Sequence, residues 1–179
     1  MYKLTAYDKF IQVALKYGFS LYGLPKSGQT IEYLPGDDGT YEKGYPRSGP
    51  NYIDNGDGTV TDNATGLMWA SDGNGLGCNS GVTISWPNAI AWASALNFAG
   101  HTDWRIPNIK ELLSLLNYSL ISPKIDTAYF PSTYGNYYWT STTDPISTTF
   151  AFRVIFASAY VSIGGKATLY YVRAVRGGA

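Results

Sequence analysis

Residue types that perform acid, base or nucleophilic chemistry are scarce and scattered in this chain. It has one histidine, His101, and one cysteine, Cys78. His101 follows Gly100 at an expected helix end, where a cap or surface role is commoner than catalysis. Cys78 lies in the glycine-rich run from Gly73 to Gly81 and reads as an inert loop thiol; being alone, it excludes an internal disulfide. No His-His or His-Cys spacing suits zinc, and no Gly-x-Ser-x-Gly elbow exists for a hydrolase. Asp54, Asp57 and Asp62 resemble the oxygen donors of a calcium loop. Hairpin chemistry explains the same letters, and the EF-hand spacing and terminal Glu are missing, so the turn reading is preferred over a structural calcium. Arg105, Glu111, Arg173 and Arg176, with Trp104, read as structural: an arginine can bond loop carbonyls or pair with a carboxylate while its stem packs on an aromatic ring. No enzyme, metal or cofactor is expected.

The segment from Asp144 to Tyr171 offers a different kind of chemistry. Within it only Lys166 belongs to the set Lys, Glu, Gln, Met and Trp. Aromatic, aliphatic, small and hydroxyl side chains recur there on strand-like spacing, with almost no long charged arms. That composition suits recognition, where aromatics supply buried area at low entropy cost and hydroxyls supply adaptable hydrogen bonds. An ordinary strand is also poor in Lys, Glu and Gln, so the bias alone does not separate a binding face from a plain sheet.

At 179 residues the chain fits one domain with a substantial core, preceded by a lead-in over residues 1–23, the domain itself covering 24–179. The formal charge is zero, with 13 basic and 13 acidic residues, so no field attracts nucleic acid or anionic lipid. Twenty glycines and nine prolines indicate much irregular backbone, and sixteen tyrosines exceed what a core needs, so some are expected to face a ligand. No basic-then-apolar leader and no run of about 18 apolar residues is present, so membrane insertion is not expected; surface display or a place on a virion is.

The elements that must position these residues follow from spacing. Thr5 and Asp8 open, and Gly18 closes, an amphipathic helix over Ala6–Tyr17. Loops with short strands near Thr30–Leu34 come next. Asn55-Gly56 and Asp57-Gly58 mark a hairpin, and a turn at Asn63–Gly66 leads into a strand Leu67–Trp69. Pro87 near the start and Gly100 after the end bracket a helix at Pro87–Phe98, with Ile90, Ala93 and Leu96 on one face. Asn108 and Glu111 form a capping box for a helix ending near Asn117, with Ile109, Leu112, Leu113 and Leu116 inward. Tyr137–Thr142, Phe150–Phe156, Tyr160–Ile163 and Tyr170–Val175 read as strands. The fold class is α+β, two to three helices packed on a twisted antiparallel sheet with long loops.

Six stretches together resemble one family: Leu24 to Thr30, Asp54 to Asp62, Thr65 to Trp69, Asp103 to Leu112, Tyr138 to Thr142, and Val172 to Gly178. They are similar to the C-terminal domain family of the collagen-like adhesin Lcl over about residues 24–178. The resemblance implies a C-type-lectin-like fold with a ligand face on its C-terminal strands and loops, and an adhesin-like affinity for sulfated polysaccharide as one possible activity. Members of this and related groups also occur as variable proteins of diversity-generating retroelements. There, mutated Asn codons yield every residue type except Lys, Glu, Gln, Met and Trp. The resemblance implies a fixed frame of Trp139, Ala151, Phe152, Val154, Phe156, Val161, Lys166 and Val172 to Gly178. Between these lie variable slots at Arg153, Ile155, Ala157, Ser158, Tyr160, Ser162, Ile163, Gly164, Gly165, Ala167, Thr168, Leu169 and Tyr170. Ile155 departs from the Asn or Asp usual at its position, which suits contact with a ligand.

The site expectation is therefore a non-enzymatic binding surface. Tyr160, Tyr170, Ile155, Ile163 and Leu169 are its anchors, Arg153, Ser158, Ser162 and Thr168 its polar contacts, and Ala157 completes it. A protein ligand is preferred, because Ca²⁺-dependent sugar binding needs paired carboxylates and the segment has only Asp144. Sulfated polysaccharide is the alternative; it calls for clustered cations, and the segment offers Arg153 and Lys166.

Overall fold

Turn chemistry sets the first sheet. In the computed structural model, which describes residues 24–46 and 51–177, β1 (Tyr52–Asp54) and β2 (Thr59–Asp62) form the expected hairpin, with Asp54 opposite Val60. Each aspartate serves its own turn: Asp54 Oδ1 accepts from the Gly56 amide at 2.9 Å, and Asp57 Oδ1 from the Thr59 amide at 3.0 Å and hydroxyl at 2.6 Å. Gly56 and Gly58 have φ of 76° and 86°, a region costly for other residues. Asp62 is buried and accepts from Asn51, the Ala64 amide and Thr65, closing the turn into β3 (Leu67–Ala70). Among the described residues no three His, Cys, Asp or Glu side chains converge on a common point.

Among the described residues two antiparallel sheets form, not the one expected. The first has strand order β1-β2-β3-β7, with β7 at Val175–Arg176; the second has order β4-β5-β6, with β4 at Tyr137–Thr143, β5 at Phe150–Ile155 and β6 at Tyr160–Gly165. The C-terminal segment divides them, because its hydrogen bonds go to successive partners. Tyr170 pairs with Ile84, Tyr171 with Tyr138 of β4, Ala174 donates to Gly77, and Val175 pairs with both Arg105 and β3. The continuous strand expected over Tyr170–Val175 is thus a connector that ends in a two-residue strand.

Among the described residues three helices appear: α1 (Asp38–Tyr41), α2 (Trp86–Ala95) and α3 (Ile109–Leu113), with 3₁₀ turns at Leu76–Gly81. The expected strand near Thr30–Leu34 is absent; Asp37 instead accepts from Gln29 and the Tyr33 amide and caps α1. In α2 the buried positions are Ala89 and Ala93, whose small side chains let the helix approach Trp139 and Ala151 closely. The α3 capping box forms as read, with Glu111 N to Asn108 Oδ1 at 3.0 Å and Asn108 N to Glu111 Oε2 at 2.8 Å. The helix stops at Leu113 because Leu115 and Leu116 bond three residues back, a tighter winding that turns both leucines into the core. The helix expected over Ala6–Tyr17 lies outside the described residues, as does Gly178.

The main core gathers Val60, Trp69, Leu112, Leu116, Phe130, Tyr138, Val154 and Phe156 between the sheets and α3. Trp104 and Val172 are buried in adjoining clusters. Arg173 is buried too, at 0 % exposure, without a carboxylate: Nη1 donates to the carbonyls of Ala70 and Ser71 and Nη2 to Thr133 Oγ1 at 2.6 Å. It cross-ties the connector to β3 and the Phe130–Thr133 loop. Arg105 grips both Glu111 oxygens at 2.7 Å and Arg176 pairs with Asp103 at 2.7 Å, as the structural reading of these charges expects.

Candidate functional site: the outward face of the C-terminal strands

Register decides which candidate residues share a surface, because directly opposed residues of antiparallel strands project to the same side. Across the second sheet Tyr137 faces Ile155 and Ile155 faces Tyr160; Trp139 faces Arg153 and Arg153 faces Ser162; Ala151 faces Gly164. These residues share one face; α2 covers its Trp139 and Ala151 end, where both are fully buried, and Tyr137, Arg153, Ile155, Tyr160 and Ser162 form the part that faces outward. Val154, opposite Tyr138 and Val161, projects into the main core.

At the centre of the outward face Arg153 packs against two neighbouring rings. Its Cζ is 3.7 Å from the Tyr137 ring centroid and 4.4 Å from that of Tyr170. Its Nε donates to Ser162 Oγ at 3.0 Å. Tyr170 in turn meets Trp139 edge-on at 4.7 Å between centroids. Gly164 makes this packing possible, since a Cβ there would come within 2.8 Å of Tyr170 Cε2 and 3.1 Å of Arg153 Cδ. Arg153, Ser162 and Tyr170 are consequently half-buried and fixed in place.

The remaining candidates surround this cluster. Ile155 is half-buried and Tyr160 is 64 % exposed on the same face. Ala157 and Ser158 occupy the turn between β5 and β6, where Ala159 has φ of 58°. Thr168 and Leu169, the latter 57 % exposed, sit in the loop between β6 and Tyr170. Ile163 departs from expectation. It faces Phe152 and therefore lies on the other side of the sheet, although 42 % exposed. The four-residue connection between Ile155 and Tyr160 carries the outward set from odd numbers on β5 to even numbers on β6.

One contributor, Tyr137, escaped the sequence reading, and Lys166, named there as a cation for the alternative ligand, is already engaged. Tyr137 supplies half of the ring pair against Arg153, and its place two residues before Trp139 was the available signal. Lys166 extends over Trp86, Nζ 3.9 Å from the ring centroid, and donates to Thr143 Oγ1 at 2.9 Å. Elsewhere, Cys78 is buried and burial pushes its thiol above the ordinary range, favouring the neutral form. His101 exchanges backbone hydrogen bonds with Phe98 and packs near Trp104. A cleft of about 480 Å³ lies apart from the strands, lined by Ser27, Gln29, Tyr33, Asp38, Tyr118 and Ser119 among others. Its polar groups are largely engaged with one another, Ser27 with Asp38 and Gln29 with Asp37.

The arrangement offers a shaped, mainly aromatic and aliphatic surface with one rigidly held cation, and it assembles no adjacent acid, base and nucleophile. The profile of the family described as the Lcl C-terminal domain matches residues 58–176. Four of the six stretches that carried the resemblance lie at least largely within that span, while Leu24 to Thr30 precedes it and Asp54 to Asp62 straddles its start. No curated protein matches the chain.

Proposed function

Because the chain belongs to the Lcl C-terminal domain family, we propose that it is a non-enzymatic recognition domain of C-type-lectin-like fold that binds a protein ligand through the outward face of β5 and β6 and the loop before Tyr170. One observation carries the reading. Exposed or half-buried candidates at Arg153, Ile155, Tyr160, Ser162 and Tyr170 share one side of a sheet whose other side packs Tyr138 and Val154 into the core. On the candidates' own side Trp139 and Ala151 are buried against α2, so the open surface is the part of that side nearer Ile155 and Tyr160. The near absence of Lys, Glu, Gln, Met and Trp from Asp144 to Tyr171 supports the further reading that this surface is diversified by adenine-directed mutation.

The rival is an adhesin-like surface for sulfated polysaccharide. Polyanion binding draws on clustered cations, and here Lys166 is already engaged with Trp86 and Thr143. The test is to screen the immobilised domain against extracellular protein and glycan arrays at physiological salt. Protein hits lost on joint substitution of Ile155, Tyr160 and Leu169 support the proposal; retention by heparin alone, or sugar hits without protein hits, overturns it. The diversification reading is tested separately in the genome. It requires an imperfect copy of the coding segment for residues 139–176, differing mainly at adenines, beside a reverse transcriptase.

A further inference from the structure

Arg153 differs from every other described arginine in what its guanidinium meets. Arg105, Arg173 and Arg176 all direct Nη or Nε donors at acceptors within the protein. Arg153 gives only Nε, to Ser162; Nη1 and Nη2 have no acceptor among the described residues, and neither is a buried orphan. The Tyr137 and Tyr170 rings, whose own centroids are 5.5 Å apart, pack on the guanidinium from two adjacent sides, and Ser162 holds Nε, so the group is positioned while Nη1 and Nη2 keep no protein partner. No ion pair among the described residues includes Arg153, and the only acid from Asp144 to Tyr171 is Asp144 itself, which is buried and accepts from the Ile146 amide.

A rigid planar fork with two unengaged parallel donors matches the two oxygens of a carboxylate, and little side-chain entropy remains to be lost on binding. We propose that Arg153, held against Tyr137 and Tyr170, is the specificity-determining residue of the face and takes an Asp or Glu side chain of the protein ligand in a bidentate pair. Tyr160 and Ile155, on the same face, then cover the apolar neighbours of that acid. The proposal rests on the outward face being the binding surface.

The experiment is selection of binders from a random-peptide phage library on the intact chain. Each selected peptide is then measured against the wild type, Arg153→Gln, Arg153→Lys and a joint Ile155→Asn, Tyr160→Ser variant, all checked for an unchanged melting temperature. Peptides sharing an acidic position, weakened at least tenfold by Arg153→Gln and by replacing that acid with its amide, are the expected result. Arg153→Lys should recover only part of the affinity, since a point charge cannot make the forked pair. If Arg153→Gln unfolds the chain, Arg153→Lys and the amide-substituted peptides decide. Peptides that lose binding in the joint variant but not in the Arg153 variants, or that need no acid, overturn this inference and leave the recognition surface standing. Peptides unaffected by all three variants overturn both. Heparin displacing the peptides at physiological salt in an Arg153-dependent way replaces the carboxylate with sulfate and also overturns the inference.

Discussion

Arg173→Met should destabilise the protein by about 2–4 kcal/mol, although it removes a charge from the interior. Met keeps much of the volume and gains from lifting the desolvation cost of the guanidinium, including the buried Nε that has no partner. Against that gain stand the carbonyls of Ala70 and Ser71 and the Thr133 hydroxyl, which all lose a charged donor. Such bonds contribute about 1.5–3 kcal/mol each, and an acceptor left without a donor in the interior costs about 1–3 kcal/mol. The Thr133 hydroxyl keeps its own donation to the Phe130 carbonyl when Arg173 is lost, so the two carbonyls dominate the net loss. For a domain of this size about 1 kcal/mol shifts Tm by about 2–4 °C, giving a fall of about 4–16 °C by calorimetry. Arg153→Gln, by contrast, should move Tm by no more than a few degrees, because Arg153 is half-exposed and ties nothing across the fold. An Arg173→Met protein as stable as the wild type, or more so, would refute the view of Arg173 as a cross-tie.

Further expectations concern pH, capping and the surface. Burial pushes the Tyr138 hydroxyl from 10.0 up to about 12. The folded state therefore holds this proton more tightly than the unfolded chain, and stability present below pH 10 should fall by about 2–3 kcal/mol as pH rises to about 12. Urea midpoints across that range should drop less steeply in Tyr138→Phe, and parallel profiles would contradict the assignment. Asn108→Ala breaks the capping box and should cost about 0.5–2 kcal/mol in urea unfolding; no change would show the cap to be dispensable. Joint replacement of Ile155, Ser158, Tyr160 and Leu169 by Asn and Ser should leave Tm within a few degrees, at less than about 0.5 kcal/mol per site. Tyr170→Ser should cost more, about 1–3 kcal/mol, because it removes the ring packed on Trp139 and Arg153; equal tolerance at both sets would mean that the ring stack contributes nothing to stability.

Local chemistry made part of this architecture legible in the sequence. Asn-Gly and Asp-Gly dipeptides specify turns that only glycine adopts cheaply, and the Asn108–Glu111 box specifies a helix start, so both were readable without tertiary information. Val154 and Phe156, two residues apart in the frame the resemblance implies, both lie inside, as strand alternation requires. Long-range choices were not legible: residues 170–176 look like one β-prone run, yet their partners change from Ile84 to β4 to β3 within a few residues. Ile163 was misplaced because its side depends on how many residues cross from β5 to β6, which apolar character does not reveal. Arg153 and Arg173 have the same chemistry in the sequence. Only packing distinguishes a guanidinium buried among carbonyls from one packed against two tyrosines with no acceptor for its Nη atoms.

Randomising Ile155, Ala157, Ser158, Tyr160, Thr168 and Leu169 together in a surface-displayed library, and sorting for both protease resistance and binding to unrelated proteins, tests most directly whether this face varies independently of its scaffold. Most members should resist protease as the wild type does, and the folded pool should yield binders to several targets whose affinity follows the randomised residues. A pool that is mostly cleaved, or a folded pool without target-specific binders, would contradict a recognition face built on the C-terminal strands.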